Sequence, residues 1–456
     1  MAASWENRIS KEGGSQPLCD LVIPVWNQLS YTRGCIESIL RHTPELARLI
    51  VIDNGSTDGT GEYLQGISAS LGEKLVLISN PTNLGFVRAV NQGLRASQAP
   101  YVCLLNNDTL VTEGWLSRMI AAAAARPQVG LVNPLGNVGG SWSEERWRKV
   151  QLRLARGGGK IEELEHCSGF CLLIKREVIE AVGFLDETFG MGNFEDNDYC
   201  ERARRAGYLS VKVQDSWVHH FQNRSFDRIP DWGENISEQN RQRLHAKWPA
   251  RPALVFVGVP AVPESFEAFV KLLQKAHAFA RSRCRVAVVS GLPEPLRPET
   301  FWESLGLTPH ANLKTYLVRP LSAGNLGNRF CFGLYALMRC RRLARKKRYQ
   351  YVYLSREAAW LARFRRYLPL LVLYPWPDPL VSLPSPLTGG GQPACRPPVR
   401  VRTRTGARGA GRGEGGESSD RAPNALFLPE TIGDPAKIWD PDLEGFLSRL
   451  QSAGGS

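Results

Sequence analysis

Six short polar clusters in the first half of the chain carry residue types that can do chemistry. They are Pro24-Val-Trp-Asn27, Asp53-Asn-Gly-Ser-Thr-Asp58, Asn83-Leu-Gly85, Asn106-Asn107-Asp108, Glu195-Asp196-Asn197-Asp198 and His219-His220. Carboxylates bind hard divalent cations, imidazole suits a manganese-like ion, and a carboxylate can also act as a general base. Each cluster taken alone has an ordinary use. Asp-Asn-Gly-Ser is strong turn sequence, and acids at the start of a helix complement its dipole. Adjacent histidines on a strand point to opposite faces, so only one of His219 and His220 can serve a given site.

The elements that must position these clusters alternate in kind. LCDLVIPVW, ARLIVIDNG, KLVLISN and APYVCLLNND read as strands, with helical patterns at Leu29–Arg41, Gly59–Leu71 and Phe86–Ala96 between them. Strand and helix in repeated alternation mean a parallel sheet covered on both faces, whose ligands bind beyond the carboxyl ends of the strands. The polar clusters fall at those ends. Residues 137–165 are polar, contain Gly157-Gly158-Gly159, and read as an irregular mobile loop. Order returns over 166–229, with strands GFCLLIK and YLSVKVQ and helices Arg176–Val182 and Glu195–Ala206. Gly207 stands where a left-handed helix cap is wanted.

The order and spacing of the six clusters resemble the inverting glycosyltransferases of family 2, over about residues 18–226. The resemblance implies a GT-A nucleotide-sugar-binding fold and the following site. Asp53 contacts the base of the nucleotide, and Pro24, Val25 and Asn27 line the base and ribose pocket. Asn83, Gly85 and Asn107 lie on the nucleotide-sugar side. Asn106-Asn107-Asp108 is similar to the family's Asp-x-Asp metal motif with Asn in the first place, so Asp108 is the anionic ligand of a divalent cation, Mn2+ or Mg2+, and Asn106 contacts sugar or ribose. His220, or else His219, completes the metal site. Arg224 and Ser225 hold diphosphate oxygens. Asp196 is the catalytic base, with Glu195 and Trp142 on the acceptor side; Trp142 and Trp147 stack on an acceptor sugar or anchor their loop. Asp198 and Glu201 are either site acids or helix-dipole partners. The implied partners are a nucleotide-sugar donor and a glycan or lipid-linked glycan acceptor receiving a hexosyl or deoxyhexosyl group. The Asn at 106 also motivates an alternative, a catalytically inactive nucleotide-sugar-binding scaffold.

From residue 250 a second α/β pattern begins, through ALVFVGV, CRVAVVSG, LKTYLVR, YQYVYLS and LPLLVLYP. Tyr351–Glu357 and Leu370–Trp376 weakly resemble the N-terminal half of a GT-B glycosyltransferase, without the donor-binding half that should follow. The expected division is a disordered N-terminus over 1–17, the GT-A domain over 18–249, an incomplete Rossmann-like domain over 250–383, a disordered Pro/Gly/Arg-rich linker over 384–424 and a short tail over 425–456. Apolar residues of the basic helix Phe330–Arg348 (Phe330, Leu334, Leu337, Met338) recur at helical spacing and read as a core stripe.

Composition narrows the function classes. The 456 residues are 43% hydrophobic and 22% charged, ordinary globular values. Residues 1–249 carry 27 Lys+Arg against 29 Asp+Glu, and the remainder 30 against 15, so the excess charge of +13 lies wholly in the second half. No nucleic-acid module accompanies it, so nucleic acid is not an expected partner; peripheral contact with anionic membrane is. No apolar run is long enough to span a bilayer and the N-terminus lacks a signal-like apolar region. The expectation is a cytoplasmic enzyme, soluble or peripheral on the inner face of the cell membrane. The ten cysteines show no metal-type pairing and read as reduced thiols.

Overall fold

The computed structural model describes residues 18–138, 144–221, 235–258, 266–291, 301–318, 326–345, 349–355, 358, 361–364 and 371–373, with positions 438, 444, 445, 447 and 448 near the C-terminus. The chain packs as two compact units, Met1–Ala250 and Arg251–Ser456.

The first unit begins with β1 (Cys19–Val25), α1 (Leu29–His42), β2 (Leu46–Asp53), α2 (Thr60–Leu71), β3 (Leu75–Ser79), α3 (Phe86–Ala96) and β4 (Tyr101–Leu105). The four strands pair in parallel in the order β3-β2-β1-β4. Continuous apolar runs make this possible: Leu21, Val22 and Ile23 are all buried, as are Leu49 through Ile52, because helices cover both faces. Helix α3 lays Val87, Val90 and Leu94 on the sheet. Gly93 lets it approach closely, since a Cβ there would come within 2.3 Å of Val22 Cγ1 and 2.9 Å of Ile52 Cδ1. Gly93→Ala is therefore expected to destabilise the unit by about 1–3 kcal/mol through overpacking, despite alanine's better helix propensity. Urea unfolding checks this; an unchanged or raised midpoint would contradict it.

The unit continues through β5 (Thr109–Val111), α4 (Trp115–Ala125), β6 (Val129–Val138), α5 (Glu144–Gly157), β7 (Ile161–Leu164), β8 (Cys171–Lys175), α6 (Arg176–Val182), α7 (Glu195–Arg205), β9 (Leu209–His220) and α8 (Ser237–Lys247). The sheet extends from β4 as β8-β6-β9-β5, with β7 on β9. Strand β8 is antiparallel to β4 and β6, β6 and β9 are parallel, and β5 and β7 are antiparallel to β9.

The irregular loop expected over 137–165 is corrected. Strand β6 runs to Val138, and α5 and β7 follow. Trp147, Val150 and Leu154 recur at helical spacing and pack with Leu135 and Trp217, which outweighs the polar character of the segment. The glycine triplet is the turn out of α5. A Cβ on Gly157 would lie 2.4 Å from the Gln214 carbonyl oxygen, and the Gly159 N–H donates to Asp215 Oδ2 at 2.7 Å.

The second unit contains β10 (Ala253–Val257), α9 (Phe266–Arg281), β11 (Arg285–Gly291), α10 (Phe301–Ser304), β12 (Leu313–Val318), α11 (Leu326–Arg345), β13 (Tyr351–Leu354) and β14 (Leu371–Leu373). Its five strands are parallel in the order β12-β11-β10-β13-β14. Alternate residues face two cores: Leu254 and Phe256 meet α9, while Val255 and Val257 meet α11. The core stripe of α11 is Ala336, Cys340 and Leu343. Leu337 packs against it, but Leu334 and Met338 are exposed, contrary to the stripe expected from sequence; the helix is rotated so that its small residues meet the sheet. Leu447, from the segment read as a tail, is buried with Leu254 and Phe256, and Glu444 pairs with Arg251. The expected disordered stretches, 1–17 and 384–424, lie outside the described residues.

Candidate active site

The carboxyl end of β1 turns through Asn27 and Gln28, both left-handed at φ 57° and 66°. Asn27 is held there from two sides. Its N–H donates to Ser56 Oγ at 2.8 Å, and its Oδ1 accepts from the Thr57 N–H at 2.7 Å. Asp53 ends β2 and caps the turn that follows, with Oδ1 accepting from the Ser56 N–H at 3.0 Å. Pro24 is half-buried and Val25 buried beside Asp53 in the paired strand. Asn54, which sequence reasoning passed over, joins this loop to the next. Its Nδ2 donates to Asn83 Oδ1 at 2.7 Å, and its Oδ1 accepts from Asn80 Nδ2 and the Leu84 N–H, both at 3.0 Å. Asn83 also accepts from the Gly85 N–H at 2.9 Å. Gly85 serves an approach of backbone: its φ is 90°, and a Cβ would sit 2.8 Å from the Gly190 carbonyl oxygen.

The second cluster lies where β4 passes into β5, opposite the end of β9. His220 Nε2 is 3.1 Å from Asp108 Oδ1 and 3.4 Å from Asn106 Nδ2. Two cis ligands of one octahedral ion with bonds near 2.1 Å stand about 3 Å apart, so this carboxylate–imidazole pair fits a divalent cation. Among the described residues no third His, Cys, Asp or Glu joins them. Such a pair could hold an ion whose remaining positions are filled by water or other oxygen ligands. Asn107 turns away, donating through Nδ2 to Thr32 Oγ1 at 2.9 Å inside the core. His219 is fully buried and lies edge-on to Phe221, with ring centroids 4.5 Å apart.

The third cluster opens α7. Asn193 and Phe194 are left-handed, at φ 77° and 75°, and the loop before them is pinned by Asn240, whose Nδ2 donates to the carbonyls of Phe189 and Gly192, both at 2.8 Å. Asp196 is part-exposed; its Oδ2 accepts from the Gly169 N–H at 2.9 Å and its Oδ1 from the Asn197 N–H at 2.7 Å. Surrounding protein raises its pKa above the ordinary aspartate value by desolvation, partly offset by the Gly169 N–H. Glu195 is buried, and its Oε2 has no hydrogen-bond partner among the described residues. Burial, then the neighbouring Asp196 charge, pushes the Glu195 carboxyl up to about 8.

The folded state thus holds the Glu195 proton to higher pH than the unfolded chain, whose glutamate titrates near 4.5. Its contribution to stability is complete below about 4.5 and is lost as pH rises through about 8. Glu195→Gln removes that loss. The melting temperature of the variant, taken relative to the parent, is expected to climb between pH 5 and pH 9. A difference independent of pH would contradict it.

Asp198 and Glu201 serve the scaffold. Asp198 is fully buried and takes Arg202 Nε at 2.9 Å, Trp248 Nε1 at 2.8 Å and Lys247 Nζ at 2.7 Å. Glu201 binds Arg204 and Arg205. Trp147 belongs to the α5 packing described above. Trp142, Arg224 and Ser225 lie outside the described residues.

Gly169-Phe170, which in sequence is only the start of the strand GFCLLIK, links the second and third clusters. Gly169 holds Asp196, and Phe170 stacks on His220 with centroids 5.0 Å apart and planes 10° from parallel. The Phe170 carbonyl accepts from the Asn106 N–H at 2.9 Å. Asn133 fixes this segment, donating to Ser168 O at 3.0 Å and Cys171 O at 2.6 Å and accepting from the Ser168 N–H at 2.7 Å. Asp108, His220 and Asp196 are therefore mounted on one hydrogen-bonded frame.

Residues 20–183 match the model of a family described as glycosyl transferase family 2. The uncharacterized protein y4gI of Sinorhizobium fredii is 29% identical over 234 residues, covering 46% of this chain and 25% of that protein. The N-acetylglucosaminyl-diphospho-decaprenol L-rhamnosyltransferase of Mycobacterium tuberculosis is 28% identical over 232 residues, covering 43% of this chain and 73% of that enzyme. The chain spans between 25% and 32% of the length of two of the curated relatives it matches. Among solved structures, GalNAc-T7 with UDP, GalNAc and Mn2+ aligns at 17% identity and a TM-score of 0.43, over 51% of this chain and 48% of that one. Among the described residues no helix is long and apolar enough to cross a membrane.

Proposed function

We propose that the first unit, whose residues 20–183 match the family 2 glycosyltransferase model, transfers a hexosyl or deoxyhexosyl group from a nucleotide diphosphate donor to a hydroxyl of a glycan or lipid-linked glycan, inverting the anomeric centre. The observation that carries this reading is the common frame of Asp108, His220 and Asp196 through Gly169 and Phe170. Inverting transfer needs a base on one side of the anomeric carbon and charge stabilisation of the leaving group on the other.

Asp196 takes the acceptor proton as the hydroxyl oxygen attacks. Its raised pKa makes it a stronger base than an ordinary aspartate. Neutral Glu195 beside it adds no repulsion to the ionised Asp196. Asp108 and His220 are the ligands for a divalent cation, Mn2+ or Mg2+, which when bound stabilises the departing diphosphate. Asp53 and Asn27 bound the nucleotide pocket, and their own loop hydrogen bonds fix its shape. Arg224 and Ser225 remain assigned to diphosphate oxygens and Trp142 to the acceptor side.

A donor panel of UDP-, GDP- and dTDP-sugars with manganese tests the reading. At a donor concentration about 100 times Kd, binding adds about 2.7 kcal/mol, and the melting temperature is expected to rise by roughly 5 °C for the right donor. A panel with no shift for any nucleotide sugar would overturn it.

A further inference from the structure

The second unit holds a cavity of about 370 Å³ at the amino-terminal ends of β11 and β12, beneath the carboxyl half of α11. Its lining includes Arg285, Lys314, Arg339 and Arg342, with Tyr316 and Tyr349, and no acidic residue. None of the four cations forms an ion pair with a carboxylate among the described residues, in a chain where such pairs are common elsewhere. Arg339 is also pre-set. Its guanidinium lies over the Tyr316 ring at 4.4 Å and the Tyr335 ring at 5.5 Å, and donates to Tyr335 Oη at 3.1 Å.

We propose that this cavity binds a diphosphate group. Four cations line one concavity that holds no carboxylate, and a multiply charged anion is the partner whose charge complements them. An arginine already ordered by two tyrosines loses little further freedom on binding. The volume is at the low end for ligand sites, room for a charged headgroup and not for an oligosaccharide. The position sets it apart from a dinucleotide crevice, which lies at the carboxyl ends of such strands. A lipid-borne diphosphate and a free one present the same recognising chemistry. The proposal does not depend on the function assigned to the first unit.

The test is calorimetric titration of the full chain with inorganic pyrophosphate, with chelator present so that no divalent cation takes part. Saturable binding is expected, weakened about tenfold or more in Arg285→Gln/Lys314→Gln and unchanged in Asp108→Asn. Arg285 and Lys314 are exposed, so the double variant is expected to keep the parent's melting temperature. Inorganic phosphate is expected to bind more weakly than pyrophosphate. Phosphatidylcholine vesicles carrying a polyprenyl diphosphate, compared with vesicles of equal charge carrying phosphatidylglycerol, identify the source: selective retention of the chain means a lipid-borne group, and equal retention with pyrophosphate still bound means a soluble one. Absence of saturable pyrophosphate binding, equal affinity in parent and double variant, or loss of binding in Asp108→Asn alone would overturn the proposal.

Discussion

Asp196→Asn is expected to lower turnover by about 10²–10⁴-fold while leaving donor affinity nearly unchanged. The amide keeps the size of the side chain, and its oxygen can still accept from the Gly169 N–H that the carboxylate now holds at 2.9 Å. What is lost is the ability to take a proton, together with the second acceptor that now receives the Asn197 N–H. The nucleotide is assigned to the ends of β1 and β2, whereas the Asp196 carboxylate is hydrogen-bonded to the backbone of Gly169 and Asn197, so binding should survive. The parent's rate should fall on the acid side as pH drops through the Asp196 pKa, which desolvation raises above the ordinary aspartate value of 3.8. Steady-state kinetics beside equilibrium donor binding checks both parts. Near-normal turnover in Asp196→Asn, or a loss carried wholly by donor binding, would remove Asp196 from the base role.

Asp108→Ala is expected to weaken metal-dependent donor binding and turnover together, by about 10²-fold or more, because a cation held by Asp108 and His220 would tie the diphosphate to the protein. His220→Ala should follow it, since its Nε2 stands 3.1 Å from Asp108 Oδ1. His219→Ala should behave differently. That ring is fully buried against Phe221, so its loss should cost stability, on the order of 2 kcal/mol, with little change in any metal dependence of the folded protein. Manganese titrations of donor binding, with thermal melts of each variant, separate the two effects. A His219→Ala variant that loses metal dependence while His220→Ala keeps it would reverse the assignment.

The parts of this site legible in the sequence are those where chemistry and element coincide. Apolar runs ending in Asp53 and Asn106 announce buried strands with polar ends, and Phe86–Ala96 announces α3 at its observed bounds because Gly85 precedes it and its apolar spacing is regular. Period-two alternation shows that His219 and His220 face opposite ways but not which faces Asp108; only the folded structure shows that, by the 3.1 Å approach of His220 Nε2 to Asp108 Oδ1. The Gly169-Phe170 bridge was invisible because neither residue is ionisable and both partners are distant in sequence. Asn54 and Asn133 were missed for the same reason, since buried amides that tie loops together look like any other polar residue. Helix α5 was hidden by its arginines, and its apolar stripe gains meaning only when Leu135 and Trp217 lie beneath it. The burial of Leu447 in the second unit depends on a return of the chain that local sequence does not encode.

The most direct measurement is release of nucleoside diphosphate from the donor that raises the melting temperature, with a panel of glycan and lipid-linked glycan hydroxyls supplied beside water to take the sugar, followed in the parent and in Asp196→Asn, with manganese and with chelator. Metal-dependent transferase chemistry on this frame predicts release by the parent in manganese, a loss of most of it in chelator, and a loss in Asp196→Asn under both conditions. No release by the parent from a donor that it demonstrably binds would contradict an enzymatic role and leave a nucleotide-sugar-binding scaffold.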